Sequence, residues 1–202
     1  MKYIRLFFLF FTALFLFTCT NPFSTRNPEQ PETSGLYYEA NDKPETVLEN
    51  FLKTHQDKNS GKYAELFSQS DDKPFRFNPD PLLISQYGST WTFTEEQEYF
   101  NKLIATDKQG YPKIYTSFNT TPVFTGISQP SPVDSVISNI LNYTIQVNYG
   151  DTVSTYYGSC FFKLYMDPQP PNYWSIYYWQ DNAQDSKADE SWSYLKIFIH
   201  RD

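Results

Sequence analysis

The sequence predicts an α+β domain, and three observations carry that reading. Apolar residues recur at helical spacing in the first half of the chain, between residues 44 and 104. After Gly110 the period drops to two. Turn-forming stretches such as "DPQPPN" then separate the runs. Helices gathered early and strands gathered late give an α+β layering.

The elements follow in order. Asp42 and Glu45 stand at the spacing of a capping box, with Pro44 in the first turn. Behind them Val47, Leu48, Phe51, Leu52 and His55 mark one helical face. A second short helix is expected over residues 62–68, with Tyr63, Leu66 and Phe67 inward. Phe75-Arg76-Phe77 reads as a short strand closed by prolines. Thr94 and Gln97 make a further capping box. Tyr99, Phe100, Leu103 and Ile104 then line a third helix, with Glu98 and Lys102 paired outside at i,i+4.

Residues 113–118 read as a strand. From Leu141 the alternation is clean: Leu141, Tyr143, Ile145, Val147 and Tyr149 on one face, and Asn142, Thr144, Gln146 and Asn148 on the other. That is the pattern of a half-solvated antiparallel strand. Gly150-Asp151 turns it, and residues 159–166 form the next, with Cys160, Phe162, Leu164 and Met166 on one side. Residues 173–179 form a third. Either Trp174, Ile176 and Tyr178, or Tyr173, Ser175, Tyr177 and Trp179, should pack under the helices. Residues 194–199 are expected as a last strand.

The N-terminus carries an address. Lys2 and Arg5 precede an apolar run from Leu6 to Phe17, broken only by Thr12. Twelve helical residues span ~18 Å, against a bilayer core of ~30 Å, so the run suits a signal peptide over residues 1–18. Leu16-Phe17-Thr18-Cys19 resembles the lipobox of bacterial lipoproteins, although Phe17 and Thr18 are bulkier than usual. The resemblance implies that Cys19 is acylated, becomes the new N-terminus and anchors the chain by its lipid. Thr20, rather than Asp, follows the cysteine, which in a Gram-negative envelope favours the outer membrane, facing the periplasm or the cell surface. Residues 19–35, with three prolines, suit a disordered tether, leaving a domain over residues 36–202.

Composition excludes several functions. The formal charge is -7, and loss of Lys2 and Arg5 with the leader makes it -9. An acidic chain without basic clusters cannot neutralise phosphates, so no nucleic-acid partner is expected. With Cys19 acylated, Cys160 stands alone, which removes an intramolecular disulfide and a cysteine-rich metal site. Two histidines far apart in sequence, His55 and His200, offer neither a metal cluster nor the usual hydrolase triad. No cofactor and no metal are expected.

Three early helices followed by a curved antiparallel sheet resemble the nuclear transport factor 2-like superfamily. This is the cystatin-like, cone-shaped fold of ketosteroid isomerases and SnoaL-type enzymes. The local match is to its uncharacterised bacterial lipoproteins. It rests on "PETVLENFLKTHQDKNSGKYAELF", "FRFNPDP", "WTFTEEQEYFNKL", and "YWSIYYWQD" with "SWSYLKIFI" after it. These are hydrophobic and aromatic anchors and hold no catalytic motif.

The resemblance implies a cone whose interior could accept a small hydrophobic ligand. Tyr63, Trp91, Tyr99, Trp174 and Trp179 are the candidates to line it. Isomerase-like chemistry would need a carboxylate beside a tyrosine in an apolar pocket, for which Tyr63, Tyr99 and Asp181 are raw material. Each nevertheless has an ordinary structural reading. Asp181 suits a turn, His55 a helix face, His200 the surface, Cys160 the core, and the acidic stretch 181–191 a solvated loop. No residue is assigned a catalytic role. The expected function is that of a lipid-anchored envelope protein with a non-enzymatic domain that binds a ligand or an envelope protein. A ketosteroid-isomerase-like enzyme and an envelope assembly factor are the alternatives.

Overall fold

A computed structural model describes residues 37–88, 90–105, 110–127, 134–169, 171–185 and 187–201. The leader, Cys19 and the tether lie outside the described residues.

Chain order is α1 (Pro44–Asp57), α2 (Ser60–Ala64), β1 (Arg76–Asn78), α3 (Ile84–Tyr87), α4 (Phe93–Ile104), β2 (Lys113–Phe118), β3 (Phe124–Gly126), β4 (Ser135–Ser138), β5 (Leu141–Asn148), β6 (Val153–Met166), β7 (Trp174–Ala183), a 3₁₀ turn (Ala188–Glu190) and α5 (Trp192–Arg201). The seven strands form one sheet around β6. Along one side of β6 runs β7. Along the other, Val153–Cys160 pair with β5 and Lys163–Tyr165 with β4. β2 extends the sheet beyond β5, and β3 beyond β4. All pairings are antiparallel except β1, which joins β7 in parallel.

One irregularity bends the sheet. Lys163 faces Tyr178 and Leu164 faces Ile176, which leaves Tyr177 without a partner on β6. An extra residue of this kind bends and twists a strand. It also shifts the phase of β7, so neither alternating set holds throughout. Trp174 and Ile176 point inward before the bulge, and Trp179 and Asp181 after it.

The helices cover the concave face. α1 packs on β2 and β7, and α5 on β6 and β7, while α4 lies against α2 and α5. Phe51 of α1 sits at the centre, 5.5 Å from Trp179, 5.6 Å from Trp192 and 5.7 Å from Phe162, ring to ring. Aromatic rings at these separations gain about 0.5–1.5 kcal/mol per pair beyond their burial.

Several elements differ from expectation. α1 has no side-chain cap: Lys43 is its N-cap and Pro44 its first residue. The capping box of α4 is Thr92 with Glu95, two residues before the expected pair. α2 stops at Ala64 because Leu66 and Ser68 bond instead to the backbone of Ile176. The largest difference is α5, a helix where a strand was expected. Ser191 accepts the Tyr194 N–H at 3.2 Å and Asp181 accepts the Ser193 N–H at 2.7 Å, so the first turn of α5 is capped twice.

Candidate functional site

Four of the five candidate lining residues meet inside the cone, around two charges that the sequence reading did not single out. Glu96, on the first turn of α4, is fully buried. Its Oε1 accepts the Tyr63 hydroxyl proton at 2.6 Å and its Oε2 the Trp91 Nε1–H at 2.8 Å. Lys196 of α5 is also fully buried, and its ammonium donates to both carboxylate oxygens. Four rings surround that ammonium. Its Nζ lies 4.2 Å from the Trp179 centroid, 4.4 Å from Tyr99, 4.5 Å from Phe77 and 5.5 Å from Trp91. Ring faces attract cations, more strongly once water is gone. Burial pulls the Lys196 pKa down to about 8, against the opposing pull of Glu96. At neutral pH the ammonium therefore keeps its proton.

Tyr99 completes this region by accepting the Trp192 Nε1–H at 3.1 Å, and Tyr63 stacks on Phe100 with centroids 3.7 Å apart. Trp174 does not join them. It lies near the start of β7, where it lines a surface cavity with Tyr173 and Tyr165.

A second buried carboxylate anchors the start of α5. Asp181 is not a solvated turn residue, because β7 continues through it and the bulge turns it inward. It accepts the Tyr143 hydroxyl at 2.8 Å, and the Ser193 N–H and hydroxyl at 2.7 and 2.6 Å. Tyr143 Oη in turn accepts the Trp192 N–H at 2.7 Å. Burial raises the Asp181 pKa to about 6, even though these donors favour its charged form. Asp80 extends the knot by accepting the Ala183 N–H at 2.7 Å, while its own N–H reaches Ser193 Oγ at 2.8 Å. Gly158 leaves room for it: a Cβ there would lie 2.5 Å from Tyr143 Oη and 2.6 Å from the Asn182 carbonyl oxygen.

The remaining candidates fall as follows. His55 is fully buried among Phe51, Tyr63, Phe100 and Trp192. Its Nδ1 bonds the Phe51 carbonyl at 2.9 Å, and burial lowers its pKa to about 4, so it is neutral. His200 is half-buried, not at the open surface, with its ring 5.1 Å from Trp91. Cys160 is buried, and burial pushes its thiol up. The expected helix-surface partner of Glu98, Lys102, donates to the His200 carbonyl at 2.7 Å.

The arrangement is a filled interior. Four surface cavities lined by described residues hold about 710, 650, 260 and 380 Å³. None is lined by Glu96, Lys196, Asp181 or Tyr143. Asp181 and Tyr143 form the carboxylate–tyrosine pair of isomerase chemistry in name only. Both Asp181 oxygens are already taken by protein donors, and neither residue lines any of these four cavities.

No protein-family model matches the sequence, and no curated protein does at a significant level. Solved structures do match. A nuclear transport factor 2-like superfamily protein from Salmonella enterica superposes with a TM-score of 0.50 at 9% identity, over 70% of this chain and 88% of its own. A candidate Ca/calmodulin-dependent kinase II association domain from Exiguobacterium sibiricum gives 0.50 at 10% identity, over 76% and 100%. The fold is the nuclear transport factor 2-like cone. At these identities the likeness extends to the fold alone.

Two outcomes follow from the buried charges. Lys196→Met strands the Glu96 carboxylate and Glu96→Gln strands the ammonium, and each is expected to cost about 3–5 kcal/mol in urea unfolding. The double variant should cost clearly less than the sum, since it strands neither. Additive losses would show that the two groups are not coupled.

His55 and Asp181 pull acid stability in opposite directions. Its folded pKa, about 4, lies below the ordinary 6.5, so the unfolded chain takes up the proton first as pH falls. Stability is therefore lost between pH 6.5 and 4, by about 3 kcal/mol at ~1.36 kcal/mol per unit. Asp181 works oppositely, because its raised pKa adds stability as pH falls from about 6 toward 3.8. The opposition masks both in the parent protein. His55→Leu removes the His55 loss, so the variant should gain about 3 kcal/mol relative to the parent between pH 7 and 4. A pH-independent difference in urea midpoints would refute this assignment.

Proposed function

We propose that this chain is a lipid-anchored protein of a bacterial cell envelope whose domain binds a ligand or partner and catalyses nothing. The observation that carries the reading is the filled cone. General acid–base catalysis needs a titratable group within hydrogen-bond reach of a substrate. Here the interior carboxylates bond to Tyr63, Trp91, Lys196, Tyr143 and Ser193, and the space a substrate would need holds Trp179, Trp192 and the Lys196 stem. Contacts with other molecules then fall to the outer surface. The anchor rests on Cys19 at the end of the short apolar leader, with the polar segment after it as a spacer. In a two-membrane envelope the domain would hang from the outer membrane.

Accessibility of Lys196 tests the binding reading. Trace acetylation with acetic anhydride should label Lys43, an exposed lysine, at the usual rate. Lys196 should label only as fast as the protein unfolds. Labelling of Lys196 as fast as Lys43 would mean an open cone and would favour the isomerase-like alternative.

The anchor is tested by Cys19→Ala. Radiolabelled palmitate should enter the parent chain and not the variant, and the variant should leave the membrane fraction. Equal fractionation of the two would remove the lipid anchor from the reading.

A further inference from the structure

The sheet ends on an open edge. β2 pairs only with β5 and β3 only with β4, so the two together form that edge. The Asn119 N–H bonds to the Asn142 carbonyl at 2.7 Å. Bonded pairs alternate along an antiparallel ladder, so Lys113, Tyr115 and Ser117 are the residues of β2 that bond to β5. The N–H and C=O groups of Ile114, Thr116 and Phe118 therefore point away from the sheet. Ile114 is shut off by packing, at 2% exposed, whereas Thr116 and Phe118 are half-buried. An edge that offers backbone groups is a template for another strand.

Beside Phe118 the edge opens into a groove. A cavity of about 260 Å³ lies between α1 and the end of β2, lined by Leu48, Leu52, Phe118 and Pro122, with Glu49 and the polar residues 119–121. Its floor is packed into the core. Leu48 is buried, and Phe118 stacks on Phe51 with centroids 6.2 Å apart. Small-molecule sites run to ~300–1,000 Å³. This groove is sized for a single apolar side chain, and the strand edge beside it can hold the backbone that carries that side chain.

Glu49 is the one charged residue in the lining. It is exposed and makes no ion pair with any described residue. A carboxylate at the mouth of an apolar groove selects a cation beside the apolar anchor. Side chains two apart on a strand share a face, so anchor and cation would stand two positions apart. A second copy of this chain fits less well. Its own edge strand would bring Ile114, Thr116 and Phe118 on that face, none of them cationic, and Glu49 would stay unanswered.

We propose that the edge at Thr116 and Phe118 binds an extended peptide by strand addition, with one apolar side chain in the groove against Leu48 and Leu52 and a lysine or arginine two positions along set against Glu49. The proposal rests on the reading of the domain as a binder that works through its outer surface, and it names the kind of partner.

The test selects from a display library of random linear octapeptides on the full chain, in zwitterionic detergent. Enriched peptides should share an apolar residue with a lysine or arginine two positions away. The strongest of them is then synthesised and titrated into isotope-labelled chain. The Thr116 and Phe118 amide signals should move saturably, and their hydrogen exchange should slow. Glu49→Lys replaces an attraction with a repulsion, so it should weaken that peptide about tenfold. Selection on this variant should turn the basic position acidic. Glu49 is exposed, so the variant is expected to fold as the parent does. Absence of enrichment overturns the proposal, as does an enriched peptide that Glu49→Lys binds unchanged or that leaves the two amides unmoved. Slower exchange at Thr116 and Phe118 when the chain alone is concentrated would put a second copy on the edge and also overturn it. None of these failures touches the surface-binding reading, which fails only if Lys196 acetylates freely.

Discussion

The ion pair between Glu96 and Lys196 is the constraint on which the rest of the interior depends. Removing two charges from water costs several kcal/mol per ion. The cost is recovered only where hydrogen bonds and favourable fields replace the water. Tyr63, Trp91 and the four rings around the ammonium supply them. The residues that make the cone look like an aromatic ligand pocket are thus the ones that solvate its own lysine. The pair joins α4 to α5 across a hundred residues of sequence. With both carboxylate oxygens and the ammonium engaged, the pair ties α5 to α4 at this point.

The knot at Asp181 holds the other end of that helix. A carboxylate on a helix N-terminus meets free N–H groups and the positive end of the helix dipole. Asp181 does this from the end of β7, and Tyr143 of β5 does it from the neighbouring side. Strand and helix are therefore locked by side chain to backbone contacts as well as by packing. With the lysine fixed at mid-helix and the first turn fixed at its start, the base of the cone is closed by the chain itself.

Much of the fold was legible because it follows from local periodicity. The face of α1 from Val47 to His55 and the alternation of β5 both stand as the spacing implied. The last element was misread because Trp192, Tyr194, Ile197 and Ile199 are β-formers, and its helicity comes from caps at Ser191 and Asp181 that only the tertiary structure provides. The core of the site was missed for a related reason. Glu96 and Lys196 were not singled out, although a positional signal existed. Glu96 falls on the same stripe as Tyr99, Phe100 and Leu103, and Lys196 on that of Trp192 and Ile199. A charge on an apolar stripe asks for a partner, but spacing along one helix cannot name a partner on another. The four aromatics that do converge were legible as a group because large apolar rings gain much by burial, although Tyr37, Tyr115 and Phe198 stay exposed.

The bulge at Tyr177 has a consequence for how the chain can vary in length. Trp174, Ile176, Trp179 and Asp181 all face inward, and strict alternation would be restored along them by losing a single residue between Ile176 and Trp179. Tyr177 is that surplus residue. The inward face of β7 carries the same message with it or without it, while the opposite face and the pairing with Lys163 do not. The position is a seam where evolution can add or remove one residue without rewriting the core, and what such an edit would alter is the outward curvature of the sheet.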